Sequence, residues 1–257
     1  SIPGILGLFV DHYLKTAPVP HLDMAIFSAV AFGSIVASRR YSTSTGACSS
    51  LYMCSIANTG CGKNHSMVLI KKLLIEAGCE HLVGPNGWRS AGGLLSTLKE
   101  KPNHIAFLDE FGDEIAGLKG KRNPVQVDLW ASIRTLFSST GGTFLPPAYS
   151  REGKAGKTTD DYAVIESPAL TILGLTTKAQ LMSALTSAEV ENGTINRFLF
   201  NVNEEPRIKP LMAQLLKARI PAPLDLMTWA MSAGGVQEVT VAEEVDDKGN
   251  KHTTEVA

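Results

Sequence analysis

Paired cysteines, long apolar runs and an excess of charge of either sign are all missing from this 257-residue chain. Its four cysteines, Cys48, Cys54, Cys61 and Cys79, form no Cys-x-x-Cys pair and have no histidines at zinc-finger spacing. That pattern leaves reduced thiols and excludes a disulfide framework or a zinc ribbon. Lys and Arg total 24 against 25 Asp and Glu, for a formal net charge of -1. No chain-wide basic field exists of the kind nucleic-acid binders carry, so any such contact must be local. The longest apolar stretch, Met24 to Ala37, is too short to span a bilayer. No basic region precedes an apolar run near Ser1, so a cytoplasmic protein without a secretory signal is expected.

What the chain does have is 44% hydrophobic residues, enough for a substantial core. Apolar residues recur at helical spacing from Ile2 to Lys15, and Pro18 and Pro20 separate this run from an alanine-rich helix over Leu22 to Ser38. Residues 1–47 therefore read as a helical lead-in. "CSSLYMCSIA" then has the form of a buried parallel strand, a glycine loop follows, and "HSMVLIKKLLIEAG" is helical up to Gly78. Further strands are expected at His81–Gly84, at "HIAFLDEFG", at "ALTILGLTT" and at "RFLFNV", with helices over Ala91–Lys99, Val125–Ser138 and 179–190. Strands alternating with helices predict an α/β fold whose mainly parallel sheet, over residues 48–204, is covered by helices on both faces. Residues 205–257 read as a helix and a β-hairpin, and the "TTEVA" ending reads as a cut within a longer protein.

The chemistry concentrates in "ANTGCGKNHS". Ala57, Asn58, Thr59, Gly60, Cys61, Gly62 and Lys63 follow the spacing of a loop that cradles nucleotide phosphates with backbone N–H groups and a lysine. The hydroxyl residue that normally follows the lysine and holds magnesium is replaced by Asn64, whose carboxamide oxygen is an acceptable hard ligand. His65 is a further candidate contact to the nucleotide. Asp109 and Glu110 end the strand "IAFLDE", where a carboxylate completes a magnesium shell and a second one activates water. The alternative for that pair is a strand end meeting solvent. Thr176 and Thr177 either contact the γ-phosphate, with Thr176 expected as its sensor, or merely close a strand as β-branched residues. Arg197 is either a finger reaching a neighbour's γ-phosphate or a surface ion-pair partner. "GKAGKTT" imitates a phosphate loop, but Arg151 stands where the first glycine belongs and no strand precedes it. Arg151, Lys154 and Lys157 there either meet nucleic-acid phosphates from a hairpin tip or belong to a solvated loop.

Over roughly Ile2 to Val202, these elements resemble an ATPase of the additional-strand P-loop class (AAA+/RecA-like). "PGILGLFVDHYL", "ANTGCGKNHS", "HIAFLDEFGDEI" and "NGTINRFLF" are similar to the helicase-like ATPase modules of phage, plasmid and integrated-element replication proteins, often joined to primases. The resemblance implies ATP and Mg2+ as ligands, and single-stranded DNA as a partner. In that family the residue after the lysine is often neither Ser nor Thr, which accommodates Asn64. Asn196-Arg197-Phe198 resembles the arginine-finger segment of ring-forming AAA+ helicases, and the resemblance implies a homo-oligomer in the form of a hexameric ring. Ser138 to Pro168 falls where several replicative helicases insert a DNA-contacting hairpin. Two rivals remain at this stage. One is an ATP-dependent switch or assembly factor that does not translocate; the other is a phosphotransferase, which would need a lid with clustered arginines that the sequence does not show.

Overall fold

The computed structural model describes residues 2–117, 123–146, 164–185, 193–204, 220–235, 240–245 and 251–256. Helix α1 covers Ile5–Thr16 and stops where Ala17 turns extended ahead of Pro18, as a residue before proline must. Helix α2 covers Leu22–Ala37. Strand β1, Tyr52–Ala57, runs into the glycine loop and helix α3, Asn64–Glu76. Helix α4 is Ala91–Glu100, strand β2 is Asn103–Leu108, and helix α5 is Phe111–Ala116. Helix α6, Pro124–Ser138, has proline in its first turn and Asn123 as its cap. A two-residue ladder pairs β3, Thr143–Phe144, with β4, Ile165–Glu166, in antiparallel sense. Strand β5 is Ala169–Thr176, helix α7 is Lys178–Ala184, strand β6 is Phe198–Asn203, and helix α8 is Leu224–Gly234. Strands β7, Thr240–Val245, and β8, Lys251–Val256, form the expected antiparallel hairpin.

The main sheet has the order β2-β5-β1-β6, and all three pairings are parallel. Strand β5 therefore sits between the strand that feeds the glycine loop and the strand that leads into Asp109. Side chains alternate across a strand, and the core divides accordingly. Met53, Ala57, Ile105, Phe107, Leu173 and Leu175 face one way and pack with α1, α2, α3 and α8. Tyr52, Cys54, Ile56, Ala106, Leu108 and Ile172 face the other way and pack with α4, α5, α6 and α7. Helices cover both faces, and all eight residues of β5 are buried. The lead-in is part of the first core, where Phe9 and Phe32 lie 5.1 Å apart.

Three features depart from the sequence reading. His81–Gly84 is not a strand: Glu80–Leu82 forms a 3-10 turn, followed by a single parallel bridge from Val83 to Ile105. Pro85 has no N–H to extend a ladder, and its carbonyl accepts from the Phe107 N–H instead. Helix α5, six residues long and containing Gly112, is too short and too glycine-bearing to register as a helical period. The helix expected over 179–190 is described only as α7, whose capping Leu185 is extended. No helix among the described residues is long and apolar enough to cross a membrane, and no disulfide joins the four cysteines.

His104 on β2 gives the fold a pH dependence. Its Nδ1 donates to the Lys101 carbonyl at 2.6 Å, its ring meets Trp88 edge-on, and its Nε2 is buried without a partner. Burial, opposed by the Lys101 hydrogen bond, lowers its pKa to about 4. Between that value and the ordinary value of 6.5 the unfolded chain binds the extra proton. Stability is therefore highest above pH 6.5 and falls as the pH drops toward 4, by at most ~1.4 kcal/mol per pH unit from this group. Urea unfolding at pH 7 and pH 5 should show the loss, and the His104 ring should remain neutral at pH 5 by NMR. An imidazole titrating near 6.5 in the folded protein would contradict this environment.

Candidate functional site

Because β1, β2 and β5 are parallel, their C-terminal ends share one edge of the sheet, and the loops leaving them converge there. From β1 the chain enters Asn58–Lys63, where Gly60 and Gly62 adopt φ of 82° and 75°. Those left-handed conformations fold the loop back on itself, with the Cys61 N–H bonded to the Asn58 carbonyl at 3.3 Å. Gly62 is needed for space as well, since a Cβ there would lie 3.2 Å from Val19 Cβ. Lys63 then caps α3, directing the helix N-terminus into the same space, with the His65 and Ser66 N–H groups bonded back to the Gly62 and Lys63 carbonyls at 3.0 and 3.2 Å.

From β2 the chain delivers Asp109 and Glu110, both exposed, with Glu110 as the cap of α5. From β5 it delivers Thr177, the cap of α7. Thr59, Gly60, Gly62, Lys63, Asn64, Asp109 and Glu110, together with Pro18, Val19, Thr177 and Gln180, line one cavity of about 600 Å³. A lysine, a carboxamide and two carboxylates thus face one another around a glycine loop.

The lead-in helix is tied to this loop. Tyr13 Oη lies 3.2 Å from Ser66 Oγ, and Thr16 Oγ1 lies 3.1 Å from His65 Nε2. The Thr16 hydroxyl donates to the His12 carbonyl at 2.8 Å, so His65 Nε2 carries the hydrogen in the shared contact. Burial lowers the His65 pKa to about 4, with His12 and Lys72 adding to the effect, and burial pushes the Tyr13 phenol up to about 12. His65 is consequently neutral, and it faces α1 instead of the cavity.

The remaining expected residues are distributed as follows. Asn58 lines a smaller adjoining pocket of about 240 Å³ beside Lys178 and Glu204, which pair at 2.6 Å. Cys61 is wholly buried inside the loop. Thr176 is also wholly buried, its hydroxyl donating to the Thr177 carbonyl at 3.3 Å, so Thr177 is the threonine that borders the cavity. Arg197 precedes β6 at the opposite end of the sheet, with the ~20 Å length of a six-residue strand between it and the loop. Its Nη1 donates to the Gly193 carbonyl at 2.7 Å, and its guanidinium lies 5.9 Å from the Phe137 ring. Arg151, Lys154 and Lys157 lie outside the described residues. The β3–β4 ladder does bring the two ends of their segment side by side.

Pro18, Val19 and Gln180 were not expected at the site. Pro18 and Val19 read as a linker because the sequence does not show where a linker folds. Gln180 did carry a signal: Thr177-Lys-Ala-Gln180 has the spacing of a capping box, and both of its hydrogen bonds form.

The approach of α5 to α7 rests on Gly112. A Cβ there would come within 2.7 Å of Thr176 Oγ1 and 2.9 Å of Gln180 Cβ. An alanine in a helix ordinarily stabilises relative to glycine, but here overpacking against α7 decides the sign. Gly112→Ala should lose ~1–3 kcal/mol in urea unfolding. A variant as stable as the parent would show that the two helices part without cost.

The chain matches no protein-family model, no curated protein and no solved structure.

Proposed function

We propose that this chain binds and hydrolyses ATP as the helicase-like motor domain of a phage-type or other mobile-element DNA replication protein. One observation carries the reading: the glycine loop with Lys63 and the Asp109-Glu110 pair leave two parallel strands, separated by β5, and line one cavity. The loop's backbone N–H groups and Lys63 bind the β- and γ-phosphates, which is how P-loop sites position a nucleotide. Asn64 and Asp109 offer hard oxygens of the type magnesium accepts. Among the described residues no three His, Cys, Asp or Glu side chains gather into a metal-holding group. A magnesium ion here would therefore take most of its shell from phosphates and water, as it commonly does. When bound, it would neutralise charge on the β- and γ-phosphates.

Glu110 is the general base. Water oxygen attacks the γ-phosphorus in line, its proton passes to the Glu110 carboxylate, and the bond to the bridging oxygen breaks with the electron pair leaving on ADP. Thr177, at the cavity wall, is better placed than buried Thr176 to contact the γ-phosphate. Arg197 lies too far along the sheet to serve its own site, so a role for it requires a second copy of the chain, as in a ring. Arg151, Lys154 and Lys157, outside the described residues, would supply the positive charge that meets the phosphates of single-stranded DNA.

Magnesium-dependent ATP turnover by the purified chain, measured with and without single-stranded DNA across a range of protein concentrations, tests this reading. Turnover that rises with DNA and with protein concentration is the expected result. Turnover indifferent to DNA would leave a nucleotide switch or assembly factor, and none at all would remove the ATPase.

A further inference from the structure

Glu110 is held by a residue outside the loop and outside its own strand. Gln180 Nε2 donates to Glu110 Oε2 at 3.0 Å. The other end of the same amide, Oε1, accepts from the Thr177 N–H at 3.2 Å and the Thr177 hydroxyl at 2.9 Å. The Gln180 N–H returns a bond to Thr177 Oγ1 at 3.3 Å. These partners fix which way the amide points. A backbone N–H can only donate and an ionised carboxylate can only accept, so Oε1 must face Thr177 and Nε2 must face Glu110. The capping box of α7 therefore aims one N–H at Oε2 of the carboxylate. Gly112 permits it by letting α5 and α7 approach until a Cβ would collide with Gln180.

We propose that Gln180 is a positioning residue for ATP hydrolysis, orienting the Glu110 carboxylate toward the attacking water through its Nε2–H while Thr177 locks the amide. The proposal rests on the hydrolytic reading of the site. With Oε2 engaged by Gln180, Oε1 is the oxygen left to take the proton from water. A carboxylate on an exposed helix cap otherwise has several rotamers, and most of them put neither oxygen near the γ-phosphate. Misplacement of about 1 Å in such a group can cost ~10²-fold in rate. The same amide joins the ends of β2 and β5, so the two loops nearest the γ-phosphate are braced as one unit.

Gln180→Glu separates positioning from folding. A carboxylate at the third helical position still closes a capping box, so α7 keeps its cap, but the donor to Glu110 is replaced by a like charge. The expected result is a kcat at saturating ATP lowered ~10-fold or more with a thermal midpoint close to the parent's, any loss of ATP affinity from the added charge being read separately in KM. Gln180→Glu added to Glu110→Gln should lower kcat little further, because a residue acting through another is non-additive with it. Turnover in the parent with an unchanged kcat in Gln180→Glu would overturn the proposal and leave the ATPase standing. A full additional loss in the Glu110→Gln background would also overturn it, since Gln180 would then act by another route. No turnover in the parent would remove the hydrolytic reading and this proposal together.

Discussion

Glu110→Gln is expected to bind ATP about as the parent chain does and to turn it over ~10²–10⁴-fold more slowly, the contribution typical of a placed general base. The substitution is nearly isosteric, and its amide oxygen can still accept from Gln180 Nε2, which lies 3.0 Å from Glu110 Oε2. The cap of α5 is preserved too, because it is the backbone carbonyl of Glu110 that accepts from the Asp113 and Glu114 N–H groups. Only the capacity to take a proton from water is lost. Single-turnover hydrolysis beside equilibrium ATP binding separates the two effects. A variant that hydrolyses at the parent rate would assign the base to another group, and Asp109 would be the next candidate.

The second large effect is expected from Lys63→Ala, this time on binding. Lys63 ends the glycine loop, caps α3 and lines the cavity opposite the two carboxylates. A hydrogen bond to a charged group contributes ~1.5–3 kcal/mol, and one ammonium spanning two phosphates makes more than one such contact. Affinity for ATP should fall ~10²-fold or more. Lys63 is only half-buried and its side chain makes no capping hydrogen bond to α3, so the fold should survive. Weakened binding at an unchanged thermal midpoint is the signature. An undiminished affinity would mean that the phosphates are held elsewhere.

Much of this arrangement was legible in the residues because local signals and global folding agree. Tyr52–Ala57 is apolar on both faces, as a strand buried on both faces must be, and Gly60 and Gly62 stand where only glycine takes the backbone conformation without strain. The pairing of the loop with Asp109 and Glu110 was inferable from motif spacing. The strand order that separates them was not, since register among parallel strands depends on long-range contacts that no local pattern encodes. Pro18 and Val19 escaped notice for the same reason: their place in the cavity follows from the Tyr13–Ser66 and Thr16–His65 contacts, which join residues about fifty positions apart. The sequence reading assigns the γ-phosphate contact to Thr176, but it is Thr177 that lines the cavity. Thr176 is the last residue of a strand buried along its whole length, whereas Thr177 is the cap of α7 and borders the cavity.

The claim on which everything else depends is that the cavity between the glycine loop and Asp109-Glu110 is a nucleoside triphosphate site. Equilibrium titration of the chain with ATP in the presence of magnesium, followed by calorimetry and repeated with Lys63→Ala, tests it directly. Saturable binding near one nucleotide per chain, weakened ~10²-fold or more in the variant, is the predicted result. No binding by the parent chain, or binding that Lys63→Ala leaves intact, would contradict it.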